Sequence, residues 1–298
     1  MQKEEDPDVT ASWAIALHGG ADATPGREYG HVEAHMAALL DETAEWLAAS
    51  ESAVDVAQKA VQALEACGHH IAGKGSSPNQ DGVWELDAAI MDGSTRSAGA
   101  VSALEGFISP IAVARDVMDV TPHVLLAGNG AAKLARERGH DKVSNPSAYY
   151  DPAVKDPLPA NAAGHGTVGA VVLDTEGRLA AATSTGGLLN KTPGRVGDSP
   201  IIGAGTWADR SVAVSCTGHG EYFMRTAAAA SVAARVKYGH EDVASAAAAV
   251  IDEVGDLGGR GGLIALGADG TLSLPFNSRG MKRASANSSG LREVKIFA

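Results

Sequence analysis

The chain has 298 residues, 45% of them hydrophobic and 20% charged, enough for one large domain or two small ones with a substantial core. Its formal net charge of −12 argues against nucleic acid and anionic membranes as partners. No apolar run approaches a membrane span or a signal-peptide core, so the cytoplasm is the default compartment.

Ser12–Leu17 predicts a buried strand, ended by His18-Gly19-Gly20. A helix follows from about His31 to Ala49, with Val32, Met36, Leu39, Leu40, Thr43 and Leu47 at helical spacing. Ser52 to Asp55 is a capping signal for a second helix, running to about Cys67. After an irregular stretch, Glu85–Met91 and Arg96–Leu104 predict a hairpin around Asp92-Gly93. Pro110–Met118 reads as a helix, His123–Leu126 as a short strand and Ala131–Arg138 as a helix stopped by Gly139. From about 140 to 166 four prolines mix with Asn, Asp and Ala, the composition of an exposed, mobile linker. Thr167–Leu173 and Arg178–Thr185 predict a second hairpin, followed by a Gly/Pro loop from Gly186 to Pro200. Ser211–Cys216 reads as a strand, Glu221–Tyr238 and Glu241–Val254 as helices, and Leu263–Leu266 with Thr271–Pro275 as a last hairpin. Strands apolar on both faces and bracketed by helix pairs predict two packed sheets with helices outside.

Thr167 is the first chemical candidate. A hydroxyl opening a strand directly behind a glycine is what a self-processing N-terminal nucleophile needs. Cleavage of Gly166–Thr167 would give Thr167 a free α-amine, whose ordinary pKa of about 7.7–8 suits a base for its own hydroxyl. A β-branched residue starting a strand has the same appearance. Arg195 and Asp198, three residues apart in a glycine loop, suit an α-amino acid head, the guanidinium taking a carboxylate and the aspartate an ammonium; a surface ion pair has the same spacing. Thr217-Gly218 at a strand end could offer a hydroxyl and an N–H to an oxyanion, or form a plain turn before a helix. Cys67 and Cys216 lie far apart with no CxxC and no zinc spacing, and read as buried free thiols. His69 and His70 are adjacent with no third ligand nearby in sequence, the more structural of two readings.

These motifs together resemble the plant-type L-asparaginase/isoaspartyl peptidase family of N-terminal nucleophile hydrolases. The resemblance covers HGGA at His18–Ala21, ELDAAIMDG at Glu85–Gly93, SAGAVSAL at Ser97–Leu104 and HGTVGAVVLD at His165–Asp174. It continues through NKTPGRVGDSPIIGAGTWA, VSCTGHGE, GGLIAL and LPFNSRGM. It implies an α+β fold, a four-layer αββα sandwich, in which one domain is cut into residues 1–166 and 167–298, the two-chain units pairing into a dimer. It implies an amidohydrolase acting on L-asparagine and β-aspartyl dipeptides, with no organic cofactor; a glycosylasparaginase-like amidase and an unprocessed, silent binding protein are the alternatives. Residue by residue, Thr167 matches the nucleophile, Thr185 the threonine that contacts it, and Arg195 and Asp198 the aspartyl clamp. Thr217 and Gly218 match the oxyanion hole, Gly220 a backbone contact to the substrate amine and His219 a pocket-lining position. The backbone carbonyls of Leu64, Glu65, Cys67, His70, Ala72 and Lys74 match a sodium-binding loop, in keeping with hard oxygen ligands. The chain departs from the family here: His70-Ile71-Ala72-Gly73 stands where Phe-Asn-Ala-Gly is usual, and Ile71 cannot supply the asparagine's hydrogen bond.

Overall fold

A computed structural model describes residues 12–21, 23–153 and 166–298. The N-terminal half builds β1 (Ala14–Ala21), α1 (Gly30–Ala48), α2 (Ala53–Ala66), β2 (Leu86–Asp92), β3 (Ala98–Leu104), α3 (Pro110–Val120), β4 (Leu125–Ala127), α4 (Gly128–Glu137) and the short α5 (Pro146–Tyr149). The C-terminal half adds β5 (Val168–Leu173), β6 (Leu179–Thr185), β7 (Thr206–Ala208), β8 (Val212–Gly218), α6 (Gly220–Arg225), α7 (Ala228–Gly239) and α8 (Val243–Asp256). It ends with β9 (Gly261–Gly267), β10 (Leu272–Ser273), β11 (Met281–Asn287) and β12 (Arg292–Lys295). Among the described residues no helix is long and apolar enough to cross a membrane.

The strands form an eight-stranded sheet, ordered β12-β11-β1-β5-β6-β2-β3-β4, and a four-stranded sheet, β10-β9-β8-β7. Three apolar clusters hold these together. Val32, Met36, Leu40, Leu47, Val56, Val61 and Leu64 of α1 and α2 pack with Ile15, Leu17, Ile90, Val101, Val168 and Val172 on one face of the large sheet. Ala14, Ala16, Val171, Leu173 and Ala181 on its other face meet Ala213, Ile264 and Leu266 of the small sheet. The small sheet's far face packs through Val214, Cys216 and Leu263 on Phe223, Val232, Val250 and Val254 of α6–α8. The small residues in the middle cluster let the two sheets approach closely.

Local chemistry explains the helix starts. The Ser52 hydroxyl accepts from the Asp55 N–H, capping α2, and Asp242 does the same for Ser245 at the start of α8. The α1 stripe is buried at the six positions its periodicity marks.

The structure corrects several expectations. His18-Gly19-Gly20 does not end β1; the strand runs through it to Ala21 with a bulge at Gly20, whose φ is +101°. The helix expected over Glu221–Tyr238 is broken at Ala227, which lies in the left-handed region. β7, β11 and β12 were not foreseen. Cys67 is half-buried where a buried thiol was expected. The expected linker is anchored up to Ala153: Val143 and Tyr150 are buried, and Tyr150 stacks on Trp84 with ring centroids 5.1 Å apart. Its remainder, 154–165, lies outside the described residues.

Candidate active site

Register brings the nucleophile candidate to its partner. Val168 of β5 pairs with Ser184 of β6, which sets Thr167, one residue earlier, opposite Thr185. Both threonines are buried. The Thr167 hydroxyl donates to Thr185 Oγ1 at 3.3 Å, and the Thr185 hydroxyl donates to the Gly166 carbonyl at 2.8 Å. The Gly187 N–H, 3.0 Å away, also donates to Thr185 Oγ1. One hydroxyl thus touches both the candidate nucleophile and the carbonyl it would attack. The surroundings are tight. A Cβ on Gly20 would lie 3.0 Å from Gly166 Cα, and one on Gly166 would lie 2.6 Å from the Ile71 side chain.

A second network fixes the far side of Thr167. His18 Nδ1 donates to the Thr167 carbonyl at 3.1 Å, and His18 Nε2 accepts from Ser215 at 2.8 Å. Thr183 lies 2.7 Å from Ser215, and Thr206 donates to Thr183 at 2.6 Å. The donors run one way, from Thr206 of β7 through Thr183 of β6, Ser215 of β8 and His18 of β1 to the Thr167 carbonyl. Burial pushes the His18 pKa down to about 3, so the ring is neutral and its single N–H is committed to Thr167. Gly169 is required alongside, because a Cβ there would lie 2.0 Å from Ser215 Oγ. Nothing in local sequence announces this chain, whose members come from separate strands.

Arg195 and Asp198, the expected clamp, reach the same place by way of the Gly186–Pro200 loop. Glu85 staples that loop: its Oε1 accepts from the Gly194 N–H at 2.8 Å and its carbonyl from Lys191 Nζ at 2.7 Å. Gly166, Thr167, Thr185, Arg195, Asp198 and Gly218 line one cleft. Within it, Asp198 Oδ2 is buried and has no hydrogen-bond donor. Burial raises the Asp198 pKa to about 7, against the opposing pull of its own N–H and Arg195. Arg195 does not pair with Asp198; its Nε and Nη2 each lie 2.9 Å from Glu221 Oε1. Gly220 stands behind the aspartate, where a Cβ would come within 2.7 Å of Asp198 Oδ1. Thr217 is fully buried, its Oγ1 accepting from the Ala21 N–H at 3.2 Å, which leaves the hydroxyl proton for another acceptor. Its neighbour Gly218 has φ +145°. His219 precedes α6, with its Nδ1 accepting from the Arg260 N–H.

The loop matching the sodium site folds tightly after α2. The carbonyls of His70, Ala72 and Lys74 accept from the N–H groups of Ala72, Gly75 and Asp151, and that of Leu64 accepts from the Cys67 thiol. Each keeps a second lone pair, and neutral oxygens of this kind fit a hard monovalent cation. Glu65 has a further role the sequence did not announce. Its carboxylate accepts from Ser109, the Ile111 N–H and Ser184, tying α2 to α3 and to the β6 residue beside Thr185. Burial raises its pKa to about 7.

Comparison with known proteins places this geometry in context. The family model described as Asparaginase matches residues 11–156 and 147–296. The chain is 45% identical to the isoaspartyl peptidase of Salmonella typhimurium over 91% of its length and 94% of the relative's. It is 44% identical to the isoaspartyl peptidase of Escherichia coli, covering 91% of both chains. It is 39% identical to the isoaspartyl peptidase/L-asparaginase of Rattus norvegicus, over 95% of this chain and 89% of the relative.

Proposed function

This chain belongs to the asparaginase family, and from that premise we propose that it is a self-processing amidohydrolase that cleaves β-aspartyl dipeptides and L-asparagine with Thr167 as nucleophile. The carrying observation is the single cleft that joins Thr167, Thr185 and Gly166 to Arg195 and Asp198. The two sheets and their flanking helices then read as a four-layer αββα sandwich.

Processing comes first. The Thr167 hydroxyl attacks the Gly166 carbonyl carbon, whose oxygen is polarised by the Thr185 O–H. The peptide nitrogen leaves with a proton, and an ester joins Gly166 to Thr167 Oγ1. Water opens that ester, releasing the Gly166 carboxylate and freeing both the hydroxyl and α-amine of Thr167. In turnover, the α-amine takes the hydroxyl proton as Oγ1 attacks the side-chain carbonyl of the substrate. Asp198 Oδ2 receives the α-ammonium and Arg195 the α-carboxylate, sharing its guanidinium with Glu221. Thr217 and Gly218 stabilise the oxyanion. The leaving amine departs protonated, and water resolves the β-aspartyl ester to aspartate. A sodium ion on the carbonyls of Leu64, Glu65, Cys67, His70, Ala72 and Lys74 would stiffen the loop carrying Ile71 and takes no part in bond making. The processed units would pair as a dimer of two-chain units, acting in the cytoplasm on small substrates.

Intact-mass measurement of purified protein tests the reading. The expected products are Met1–Gly166 and Thr167–Ala298, the latter beginning Thr-Val-Gly-Ala. Thr167→Ala should stay uncleaved and inactive. A stable single chain that nonetheless hydrolyses β-aspartyl dipeptides overturns the mechanism.

A further inference from the structure

Behind the cleft, α1 and the loop after α2 bring together side chains that the proposed reaction does not use. His35 projects from α1, Cys67 caps α2, and His70 follows three residues later. One ligand atom from each of the three lies within 4.8 Å of the other two, and among the described residues no other such group of His, Cys, Asp and Glu occurs. We propose that the side chains of His35, Cys67 and His70 form a binding site for a borderline-soft divalent metal, zinc or a close substitute, two of them on the same loop whose backbone carbonyls match the sodium site.

The orientation of His70 carries the argument. It is fully buried, and its Nδ1 donates to the Gly19 carbonyl at 3.0 Å. That bond places the proton on Nδ1 and leaves a lone pair on Nε2, which is buried without a partner. A histidine that spends one N–H on a backbone carbonyl and aims the other nitrogen into a cluster has the arrangement of a metal ligand with its outer support in place. His35 repeats the signal, its Nδ1 being buried without a partner. Cys67 Sγ makes only weak contacts, with the Leu64 carbonyl at 3.2 Å and the His69 N–H at 3.4 Å. Two imidazoles and a thiol fit zinc in kind, with bonds of about 2.0–2.1 Å to nitrogen and about 2.3 Å to sulfur, and a water completing the tetrahedron. Reaching those lengths draws the three side chains inward by roughly an ångström. Binding exchanges the thiol proton for the metal, Zn²⁺ and Cys–SH giving a zinc thiolate and one released proton. Lys282, whose positive charge acts on Cys67, His69 and His70, opposes the metal.

Cobalt(II) is the probe that separates this site from a carbonyl-bound cation, because only a thiolate ligand gives a near-ultraviolet sulfur-to-cobalt charge-transfer band. Processed protein stripped with a chelator and titrated with cobalt in excess sodium should take up one equivalent with that band, and zinc should displace it. Cys67→Ser, close in shape, should lose the band, and both Cys67→Ser and His35→Gln should weaken zinc binding at least about tenfold. Lys282→Met should tighten it. Hydrolysis by the stripped wild type should persist, since the site lies outside the cleft. Absence of the band in wild type, or the same spectrum and affinity in Cys67→Ser, overturns the proposal; neither result bears on the Thr167 mechanism, which the fragment masses decide.

Discussion

Asp198 keeps one carboxylate oxygen buried and without a donor, and burial lifts its pKa to about 7. An unfolded aspartate ionises near 3.9, so between about pH 4 and pH 7 the folded chain holds a proton that the unfolded chain has lost. Asp198 therefore lowers stability progressively as pH rises across that window. Asp198→Asn should raise Tm by at least about 2 °C at pH 8 and leave it nearly unchanged at pH 4. Calorimetry at both values checks this, and equal shifts at the two would remove Asp198 as the cause. The same substitution should lower kcat/KM for β-aspartyl dipeptides at least about tenfold, since a neutral amide cannot hold an ammonium in a charge-assisted bond. In the wild type, kcat/KM should fall as pH drops through about 7, where Asp198 takes up its proton.

Between elements, the loop after α2 packs tightly on the start of β5. Gly166 rests on Ile71, and a methyl group there would come within 2.6 Å of the isoleucine. Gly166→Ala should slow appearance of the Thr167 fragment at least about tenfold by displacing the carbonyl from Thr185, because a near-attack geometry tolerates little misplacement. Ile71→Ala in the same chain should restore much of the rate, by making room. Gel densitometry over time after expression distinguishes these outcomes; no rescue would mean that Gly166 matters for its backbone and not for space. The α6–α7 junction offers a second case. Exposed Ala227 sits at φ 47°, ψ 47°, a conformation costly for a residue with a Cβ. Ala227→Gly should stabilise the protein by about 0.5–1 kcal/mol, read from denaturant unfolding. These junctions also mark the limit of what the sequence discloses. α1 and α2 were legible from apolar spacing and a serine cap, and β5 and β6 from apolar runs around a turn. The break at Ala227 was not, because alanine is the best helix former and carries no stop signal. β11 was missed because MKRASAN lacks an alternating apolar face. In the site, Thr167, Thr185, Arg195 and Asp198 stood out in compact motifs. Glu221, Glu65 and the Thr206–Thr183–Ser215–His18 chain did not, since pairing across sheets leaves no local pattern.

At the scale of the whole molecule, strand order matters most. In the large sheet β1 lies between β11 and β5, so a strand from before Gly166 is hydrogen-bonded on both edges to strands from after it. β6 likewise pairs with β2. Cutting the chain at Gly166–Thr167 removes one covalent bond and none of these ladders. The fragments cannot part by rigid separation, because the eight-stranded sheet interleaves strands of both. They should coelute under native conditions and separate only in denaturant. What the cut changes is molecularity. An intact chain regains its fold by a first-order search, whereas a severed one must first find its other half, and cleavage makes the tether's loss irreversible. Processed wild type should therefore show a steeper rise of Tm with protein concentration than uncleaved Thr167→Ala, and refold from denaturant at a rate that falls on dilution. Equal concentration dependence in the two would mean that the halves fold independently, against the interleaving of their strands. Under the proposed processing, the enzyme would gain its nucleophile at the moment it gives up the ability to refold alone, and each active molecule would carry a fold that a single chain made once.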